Sequence, residues 1–193
     1  MSDQEKPVVF LQIKRVVLRP VMKEDLPSIV RWFNDPEVIQ YLGTYLPMME
    51  ADKLIWFENL HTQKLTDVVL TIVVDGKAIG IMGLHKIRIK DGVARTSSVI
   101  GEKEYWSRRY GKEAKMLLLN YAFNTLGLRK ICSVVVEFNE RSLKHNLKCG
   151  FKEEGRKRKQ TYACGKYWDD ILLAVFREEW LPLWEEFAEE HGI

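Results

Sequence analysis

The chain has 193 residues, of which 46% are hydrophobic and 30% charged, so it can form a single domain with a sizeable core. The formal net charge of +3 is too small to demand a nucleic-acid partner. No apolar run is long enough to span a membrane, and Met1 to Pro7 lacks the apolar core of a signal peptide. The three cysteines lack metal-ligand spacing, so we expect reduced thiols, no metal and a cytoplasmic protein.

The N-terminal half alternates strand and helix patterns. Strands are predicted for Val8 to Arg19, Val68 to Val74, Lys77 to Ile89 and Val93 to Gly101, and helices for Glu24 to Phe33 and Glu50 to Gln63. Asn34-Asp35-Pro36 ends the first helix and starts a turn that carries Glu37 and Tyr41. Asp75-Gly76 suits a tight hairpin turn, and Asp91-Gly92 predicts a second turn before the last of these strands.

The C-terminal half predicts three helices and three strands. The helices are Lys112 to Leu126, a helix that Asn139 caps and Gly150 ends, and Glu178 to His191. The strands are Ile131 to Phe138 and a hairpin of Phe151 to Tyr162 with Tyr167 to Phe176. Ile131 to Phe138 is almost entirely apolar, as expected for a strand covered on both faces. The whole pattern predicts a mixed α/β sheet flanked by helices, in one domain spanning residues 1–193.

The stretch from Ile100 to Phe151 is the most informative about function. Its predicted order is strand, short polar loop, helix, strand, helix. Such a loop presents free backbone N–H groups at a helix N-terminus, where an anionic phosphate binds well. Binding of a nucleotide or coenzyme is therefore the first hypothesis.

The motifs of this stretch occur together and in a fixed order. They are Ile100-Gly101-Glu102-Lys103-Glu104-Tyr105-Trp106, Tyr110-Gly111-Lys112-Glu113-Ala114, Asn139-Glu140-Arg141-Ser142 and Lys148-Cys149-Gly150-Phe151. With Trp32-Phe33-Asn34-Asp35-Pro36 and Gly165-Lys166-Tyr167-Trp168-Asp169, the chain resembles the GNAT superfamily of acetyl-CoA-dependent N-acetyltransferases. The most similar branch contains the ribosomal-protein alanine acetyltransferases and the spermidine acetyltransferases. The resemblance implies a central, mostly antiparallel sheet that is splayed at the coenzyme site.

The resemblance also implies which residues contact acetyl-CoA, the co-substrate. The loop from Ser107 to Lys112 would wrap the pyrophosphate, the strand ending at Gly101 would pair with the pantetheine arm, and Asn139 would lie near the thioester. Backbone amides near Val99 and Ile100 would stabilise the developing oxyanion. The full set of expected coenzyme contacts is Val99, Ile100, Gly101, Ser107, Arg108, Arg109, Tyr110, Gly111, Lys112, Asn139, Ser142 and Asn146.

Two residues depart from the family pattern. Arg109 stands where the loop usually has glycine, and it can either obstruct the phosphate or donate a charge-assisted hydrogen bond to it. Asn146 stands where relatives often have a tyrosine that protonates the leaving thiolate, and an amide is not a useful proton source. Ser142, one turn earlier, can donate a hydrogen bond to the thiolate instead. Ser142 and Asn146 are therefore the candidate catalytic residues.

A third gap concerns the base that deprotonates the acceptor amine. Many relatives carry a glutamate near the position of Arg95, and this strand offers no carboxylate. The candidate bases are Glu37, Glu102, Glu104 and Asp170. We expect Glu37, Tyr41, Tyr105 and Asp170 to contact the acceptor.

The predicted function is therefore transfer of an acetyl group to a primary amine by direct attack. The amine of a small molecule or of a protein N-terminus is expected, and a polyamine, an amino sugar and an aminoglycoside remain open. Two alternatives are a non-catalytic acyl-CoA sensor and an RNA-associated module that uses the basic run from Arg156 to Lys159. A membrane partner is not expected, and a homodimer through the acidic C-terminal helix is left open.

Overall fold

The computed structural model describes residues 8–60, 62 and 66–193, and their strands form one sheet. The strands are β1 (Leu11–Ile13), β2 (Val16–Pro20), β3 (Val68–Val74), β4 (Lys77–Arg88), β5 (Val93–Ile100), β6 (Lys130–Val136), β7 (Lys152–Ala163) and β8 (Lys166–Phe176). Their order in the sheet is β1-β2-β3-β4-β5-β6-β8-β7, and only β5 and β6 are parallel neighbours. The predicted mixed, mostly antiparallel sheet is confirmed.

Helices cover both faces of this sheet. They are α1 (Leu26–Trp32), α2 (Pro36–Ile39), α3 (Glu50–Asn59), α4 (Tyr110–Asn120), α5 (Glu140–Lys148) and α6 (Arg177–His191). Within the described part of the chain, none of them is long and apolar enough to cross a membrane. The expectations for Met1 to Pro7 and for a helix reaching Gln63 fall outside the described residues.

The structure differs from the predicted elements at several boundaries. The first predicted strand, Val8 to Arg19, is a pair of antiparallel strands, because the chain reverses at Lys14 with a φ of 45°. Helix α4 begins at Tyr110, two residues before the predicted start, and its last turn widens so that the Leu126 N–H donates to the Tyr121 carbonyl at 3.0 Å. The predicted cap of α5 is confirmed, since the Asn139 side chain accepts a hydrogen bond from the Ser142 N–H at 3.1 Å.

The parallel pair β5 and β6 separates after three residues. The register ends at Arg95 opposite Cys132, and beyond that point β5 pairs only with β4 while β6 pairs only with β8. A wedge therefore opens between Thr96–Ile100 and Ser133–Val136. The expectation that the β6 strand is covered on both faces is wrong in this half, where Val134 is 36% exposed because the wedge leaves one side open.

The two faces of the sheet carry cores of different size. On one face, α4 and α6 pack on the larger core, which includes Leu118, Phe151 and Trp180. On the other face, α1 and α3 enclose a smaller cluster around Ile29 and Trp32. Strand β5 lies between the two layers at the wedge, so its alternating side chains enter both.

Candidate active site

A cleft of about 1550 Å³ occupies the wedge between β5 and β6. This exceeds the 300–1,000 Å³ that is typical of small-molecule pockets, so the cleft has room for a coenzyme arm and an acceptor together. Ten of the expected coenzyme contacts line it, namely Val99, Ile100, Ser107, Arg108, Arg109, Gly111, Lys112, Asn139, Ser142 and Asn146. Of the expected acceptor contacts, Tyr41, Tyr105 and Asp170 line it as well.

Three expected site residues lie elsewhere. Gly101 is buried under Trp32, and a Cβ at this position would overlap the indole ring. Tyr110 packs against the ring of Tyr105 at 5.7 Å between centroids. The Glu37 carboxylate is held at the surface by Lys103, whose Nζ donates to it at 2.8 Å. These residues shape the surroundings of the cleft rather than its lining.

The loop before α4 has a backbone suited to an anion. Ser107 and Arg109 both adopt left-handed conformations, with φ of 63° and 68°. Arg109 is the N-cap of α4, and the first turn of any α-helix leaves its N–H groups without partners inside the helix. A Cβ on Gly111 would lie 3.6 Å from the His145 ring, which is ordinary contact. The loop therefore fits a pyrophosphate through its amides, with Arg108 and Arg109 adding positive charge.

The free edge of β5 presents backbone groups to the cleft. The Gly101 N–H donates to the Ile79 carbonyl beside β4 at 2.9 Å, and the Val99 carbonyl lies against Gly80. Because backbone groups alternate along a strand, those of Ser98 and Ile100 point to the open edge. The Ile100 carbonyl there accepts a hydrogen bond from the Trp106 indole at 2.7 Å. The amides available to an oxyanion or an amide-bearing arm are therefore those of Ser98 and Ile100, and the expectation for Val99 is corrected.

A buried lysine lies on the α4 side of this strand. Lys115 is 1% exposed, lines the cleft, and donates from Nζ to the Thr96 hydroxyl at 3.0 Å. Burial lowers the pKa of Lys115 to about 8. Burial and then the charge of Lys115 lower the pKa of His145 to about 3, so this imidazole is neutral. Lys115 was not among the residues singled out from the sequence.

Asn146 lies in the same buried region. It is 3% exposed, and its side-chain N–H donates to the Ser142 carbonyl at 2.8 Å. Within the described residues, its carbonyl oxygen Oδ1 is buried and has no hydrogen-bond partner. An unpaired buried carbonyl is costly, so this oxygen is available to a donor that enters the cleft.

The opposite side of β5 carries a second hydrogen-bonded group. Here His85 of β4 contacts both Ser97 of β5 and Asp67, which precedes β3. His85 and Ser97 line the cleft. This array could not be predicted from residue patterns, because the histidines are scattered along the chain and only the strand register brings His85 to Ser97.

Aromatic rings and cations from outside the sheet also line the cleft. The Lys53 ammonium lies 3.9 Å from the Trp56 ring centroid, and burial lowers the pKa of Lys53 to about 8. The Arg141 guanidinium lies 3.7 Å from the Trp106 centroid. Asp170 accepts a hydrogen bond from the Thr161 hydroxyl at 2.7 Å.

Of the four bases considered from the sequence, only Asp170 lines the cleft. Glu102 is buried beside Trp32, whose indole donates to it at 2.8 Å. Burial raises the pKa of Glu102, but the hydrogen bonds from Trp32 and Arg31 lower it below its usual value overall. The Lys77 ammonium likewise lowers the pKa of Glu104. Both carboxylates are therefore structural anions rather than proton acceptors.

Among residues 8–60, 62 and 66–193, no cluster of three or more histidine, cysteine or acidic side chains is placed to bind a metal ion. The polar groups that line the cleft are basic side chains at the loop before α4 and hydroxyl, amide and imidazole groups from β4, β5 and α5.

The comparisons with known proteins agree with this geometry. The family model described as the Acetyltransferase (GNAT) domain matches residues 15–152. The uncharacterized N-acetyltransferase YoaA of Bacillus subtilis (strain 168) is 29% identical over 174 residues, covering 87% of this chain and 97% of that protein. The spermidine N(1)-acetyltransferase of Escherichia coli (strain K12) is 27% identical over 168 residues, covering 86% of this chain and 88% of that protein.

The fold is also that of a solved structure of this kind. The crystal structure of spermidine N-acetyltransferase from Vibrio cholerae in complex with CoA and spermine matches with a TM-score of 0.79 and 21% identity, covering 86% of this chain and 98% of that one. At this identity the likeness shows the fold. The family predicted from the motifs is confirmed: the chain belongs to the GNAT acetyltransferase family and is an acetyl-CoA-dependent N-acetyltransferase.

Proposed function

We propose that this enzyme acetylates a weakly basic primary amine on a neutral or acidic acceptor, such as a peptide α-amine or an amino sugar, rather than a polyamine. The observation that carries the proposal is the charge at the acceptor end of the cleft. Away from the phosphate loop, the cleft is lined by the cations Lys53, Arg95 and Arg141 and by the carboxylates Asp170 and Glu140. Glu140 is already paired with the Lys144 ammonium at 3.0 Å, so the cations prevail there. A polycation would meet net repulsion there, whereas an acceptor with an anionic group would be attracted.

The coenzyme would lie with its pyrophosphate on the loop from Ser107 to Gly111. From there its arm would follow the open edge of β5 towards the narrow end of the wedge at Arg95. The Ser98 and Ile100 amides would pair with the arm and with the developing oxyanion. Acetyl-CoA supplies an acetyl group already activated as a thioester, so the amine can attack directly without a covalent enzyme intermediate.

The thiolate of the coenzyme would form as the leaving group on the side of β5 that carries Lys115. The Lys115 ammonium would donate a proton to the thiolate, taking the role that Asn146 cannot fill in place of tyrosine. Support comes from the complete burial of Lys115, its place in the cleft lining and its proximity to Thr96. A lysine with a pKa of about 8 is matched to proton transfer near neutral pH. Ser142 and Asn146 would assist by hydrogen bonding.

Two further properties are proposals of the same kind. The cysteines Cys132, Cys149 and Cys164 are all free, which suits a reducing, cytoplasmic location. Arg156 is paired with Glu153 at 2.8 Å and Glu137 at 3.2 Å. The basic run is therefore partly neutralised by neighbours, which disfavours RNA binding. We also propose that residues 1–193 act as one acetyltransferase domain.

The acceptor class is tested by measuring thiol release from acetyl-CoA with a matched panel. The panel contains a peptide with an acidic N-terminal sequence, the same peptide with a basic sequence, a nucleotide-linked amino sugar and spermidine. We expect the acidic or neutral acceptors to exceed spermidine at least tenfold in kcat/KM at pH 7.5. A higher kcat/KM for spermidine would overturn the proposal.

The coenzyme site is tested separately by calorimetry and thermal unfolding. Acetyl-CoA at a hundredfold excess over its Kd should stabilise the native state by about 2.7 kcal/mol. Absence of binding at millimolar coenzyme would contradict the placement on the loop.

A further inference from the structure

Three side chains from separate segments form a continuous hydrogen-bonded array beside the cleft. The Ser97 hydroxyl lies 2.7 Å from His85 Nε2, and His85 Nδ1 lies 3.1 Å from Asp67 Oδ1. The same Asp67 oxygen accepts a hydrogen bond from the Lys86 backbone N–H at 3.1 Å, which fixes the carboxylate. Because a carboxylate can only accept, Nδ1 carries the proton, and Nε2 is left as an acceptor.

The backbone around His85 is built to hold the ring in this place. A Cβ at Gly83 would lie 2.5 Å from the Val68 carbonyl and 3.1 Å from His85 Nε2, so a larger residue would push the imidazole away from Ser97. The strand is irregular after His85, where Lys86 adopts a φ of 51°. A strained residue and an obligatory glycine on either side of one histidine indicate a constrained position.

The array lies where an acceptor amine would meet the thioester. Ser97 is two residues beyond the last paired residue of β5 and β6, Arg95. Its side chain shares a face of the strand with Arg95 and Val99, and Val99 packs on the α1 and α3 layer. Lys115 and Thr96 are on the opposite face. His85 is 34% exposed at its side chain, so a proton on it can pass to solvent.

We propose that His85 is the general base that deprotonates the acceptor amine, with Ser97 as the contact to the amine and Asp67 as a positioning residue. The inference rests on the proposed transfer to a primary amine, and it fills the gap left by the missing carboxylate at Arg95. Asp67 holds the tautomer and stabilises the imidazolium that forms.

The proton balance is simple. The N–H bond of the acceptor ammonium breaks, and its electron pair stays on nitrogen. The proton goes to the Ser97 hydroxyl as that hydroxyl gives its own proton to His85 Nε2. The neutral amine then attacks the thioester carbonyl, and His85 returns its proton to solvent after each turnover.

Several charged groups face this imidazole or share its side of the cleft. Asp67 contacts Nδ1 directly, and Arg95 is the register partner of His85 on β5. Lys86 is the next residue on β4, and Lys53 of α3 lines the same cleft. Asp67 is therefore the anion in direct contact with the ring, and Arg95, Lys86 and Lys53 are the cations around it.

The test compares pH profiles of kcat/KM for wild type, His85→Gln, Ser97→Ala and Asp67→Asn with a strongly basic amine. An alkylamine with a pKa of about 10.4 is almost fully protonated at neutral pH. With a working base, wild-type kcat/KM should be nearly level between about pH 7 and 8, below the pH at which Lys115 loses its proton. Without it, the rate of His85→Gln should rise about tenfold per pH unit over this range, because it follows the free-amine fraction.

The variants should also differ in size of effect. His85→Gln should lose about 100-fold at pH 7, within the range for general base catalysis. Asp67→Asn should lose less and keep part of the plateau, with KM for acetyl-CoA unchanged in both. His191→Gln on α6, outside the cleft lining, is the matched control and should keep the wild-type profile. Melting curves confirm that each variant folds.

A His85→Gln profile that overlays wild type would overturn the proposal. This outcome differs from failure of the proposed acceptor class. If spermidine proves the best acceptor, that class is wrong, and the same profiles are then measured with spermidine, where the expected loss of the plateau still decides the role of His85.

Discussion

Strand β5 carries two neighbouring hydroxyl groups on opposite faces, and the two differ in nearly every physical respect. Thr96 faces α4 and accepts a hydrogen bond from Lys115, which is 1% exposed. Ser97 faces α1 and α3 and contacts His85, which is 34% exposed at its side chain. One hydroxyl is in a dry layer beside a cation, and the other is at the edge of solvent beside a histidine and a carboxylate.

The difference separates the two proton transfers that amide formation needs. The dry face can hold a proton until a sulfur leaves, because no water competes for it. The wetter face can take a proton from an amine and release it. The groups beside them also differ in origin. The loop proposed to bind the pyrophosphate is one contiguous segment, whereas His85, Ser97 and Asp67 come from separate segments.

After the loss expected for His85→Gln, the next largest effect should come from removing the Lys115 cation on the dry face. We expect Lys115→Met to lower turnover at least tenfold at pH 7, because the thiolate would lose its proton donor. Acetyl-CoA affinity, measured by calorimetry, should change little, since the phosphates bind elsewhere. Steady-state kinetics with a saturating amine measures the loss.

The matched control for this change is Lys112→Met, one turn earlier on the same helix. Lys112 lies beside the phosphate loop, so its loss should weaken acetyl-CoA binding and leave turnover at saturation nearly unchanged. Should Lys115→Met instead retain full turnover, the dry face would have no catalytic proton, and the proposed division between the faces would fail.

Stability against pH gives the second test of the dry face. The pKa of Lys115 is about 8 in the folded protein against an ordinary value of 10.5. At a pH between these two pKa values, Lys115 carries a proton in the unfolded chain but not in the folded chain. The free energy of unfolding therefore rises with pH over this interval. From about 1.4 kcal/mol per pKa unit, the rise amounts to roughly 3 kcal/mol.

Lys115→Met should remove most of this rise and be more stable than wild type at pH 7. Lys53 also has a lowered pKa, but the faces of Trp56 and Phe33 favour its ammonium, so its contribution should be smaller. Urea unfolding at intervals from pH 7 to 10.5 measures both. Equal slopes in wild type and variant would show that folding does not lower the pKa of Lys115.

The local geometry on the proposed coenzyme side of the cleft was largely predictable, because it depends on short segments. The loop, the start of α4 and the Asn139 cap lie within Ile100 to Phe151, and each depends on a few adjacent residues. Lys115 was missed for a physical reason. It is a polar residue in a helix segment whose residues from Ala114 to Leu119 are all buried, and periodicity assigns a lysine to the surface.

The contact between His85 and Ser97 was not predictable, because it depends on strand register. A tight turn at Asp91-Gly92 would pair Lys90 with Val93 and so place His85 opposite Ser98, with Ser97 on the other face. The observed irregularity after His85 shifts the pairing, so that His85 lies opposite Arg95 and on the same face as Ser97. A shift of this size cannot be read from residue patterns.

A smaller effect should follow from changing Ser142. Its hydroxyl lies 3.4 Å from the Asn146 amide nitrogen, and its backbone N–H caps α5 through Asn139. Ser142→Ala keeps the cap and removes only the hydroxyl, so turnover should fall roughly twofold to fivefold, the size of one modest hydrogen bond. Kinetics alongside Lys115→Met ranks the two, and a larger loss for Ser142→Ala would make the serine, not the lysine, the main partner of the thiolate.

The smallest effect should come from changing Arg109. This change tests whether the loop before α4 binds the pyrophosphate through its backbone amides. Arg109 holds a φ of 68°, a conformation that costs a non-glycine residue about 1 kcal/mol and costs glycine almost nothing. Arg109→Gly should therefore raise the free energy of unfolding by about 1 kcal/mol. Arg108→Gly, in the same exposed loop but without a left-handed φ, is the control and should not raise the free energy of unfolding.

Because the amides remain in place, acetyl-CoA affinity should change only a few-fold in Arg109→Gly, reflecting one lost charge. Calorimetry and urea unfolding measure both quantities. Loss of all coenzyme binding in Arg109→Gly would show that the guanidinium, not the backbone, holds the pyrophosphate. The two faces of β5 would then differ only in the proton transfers proposed for Lys115 and His85.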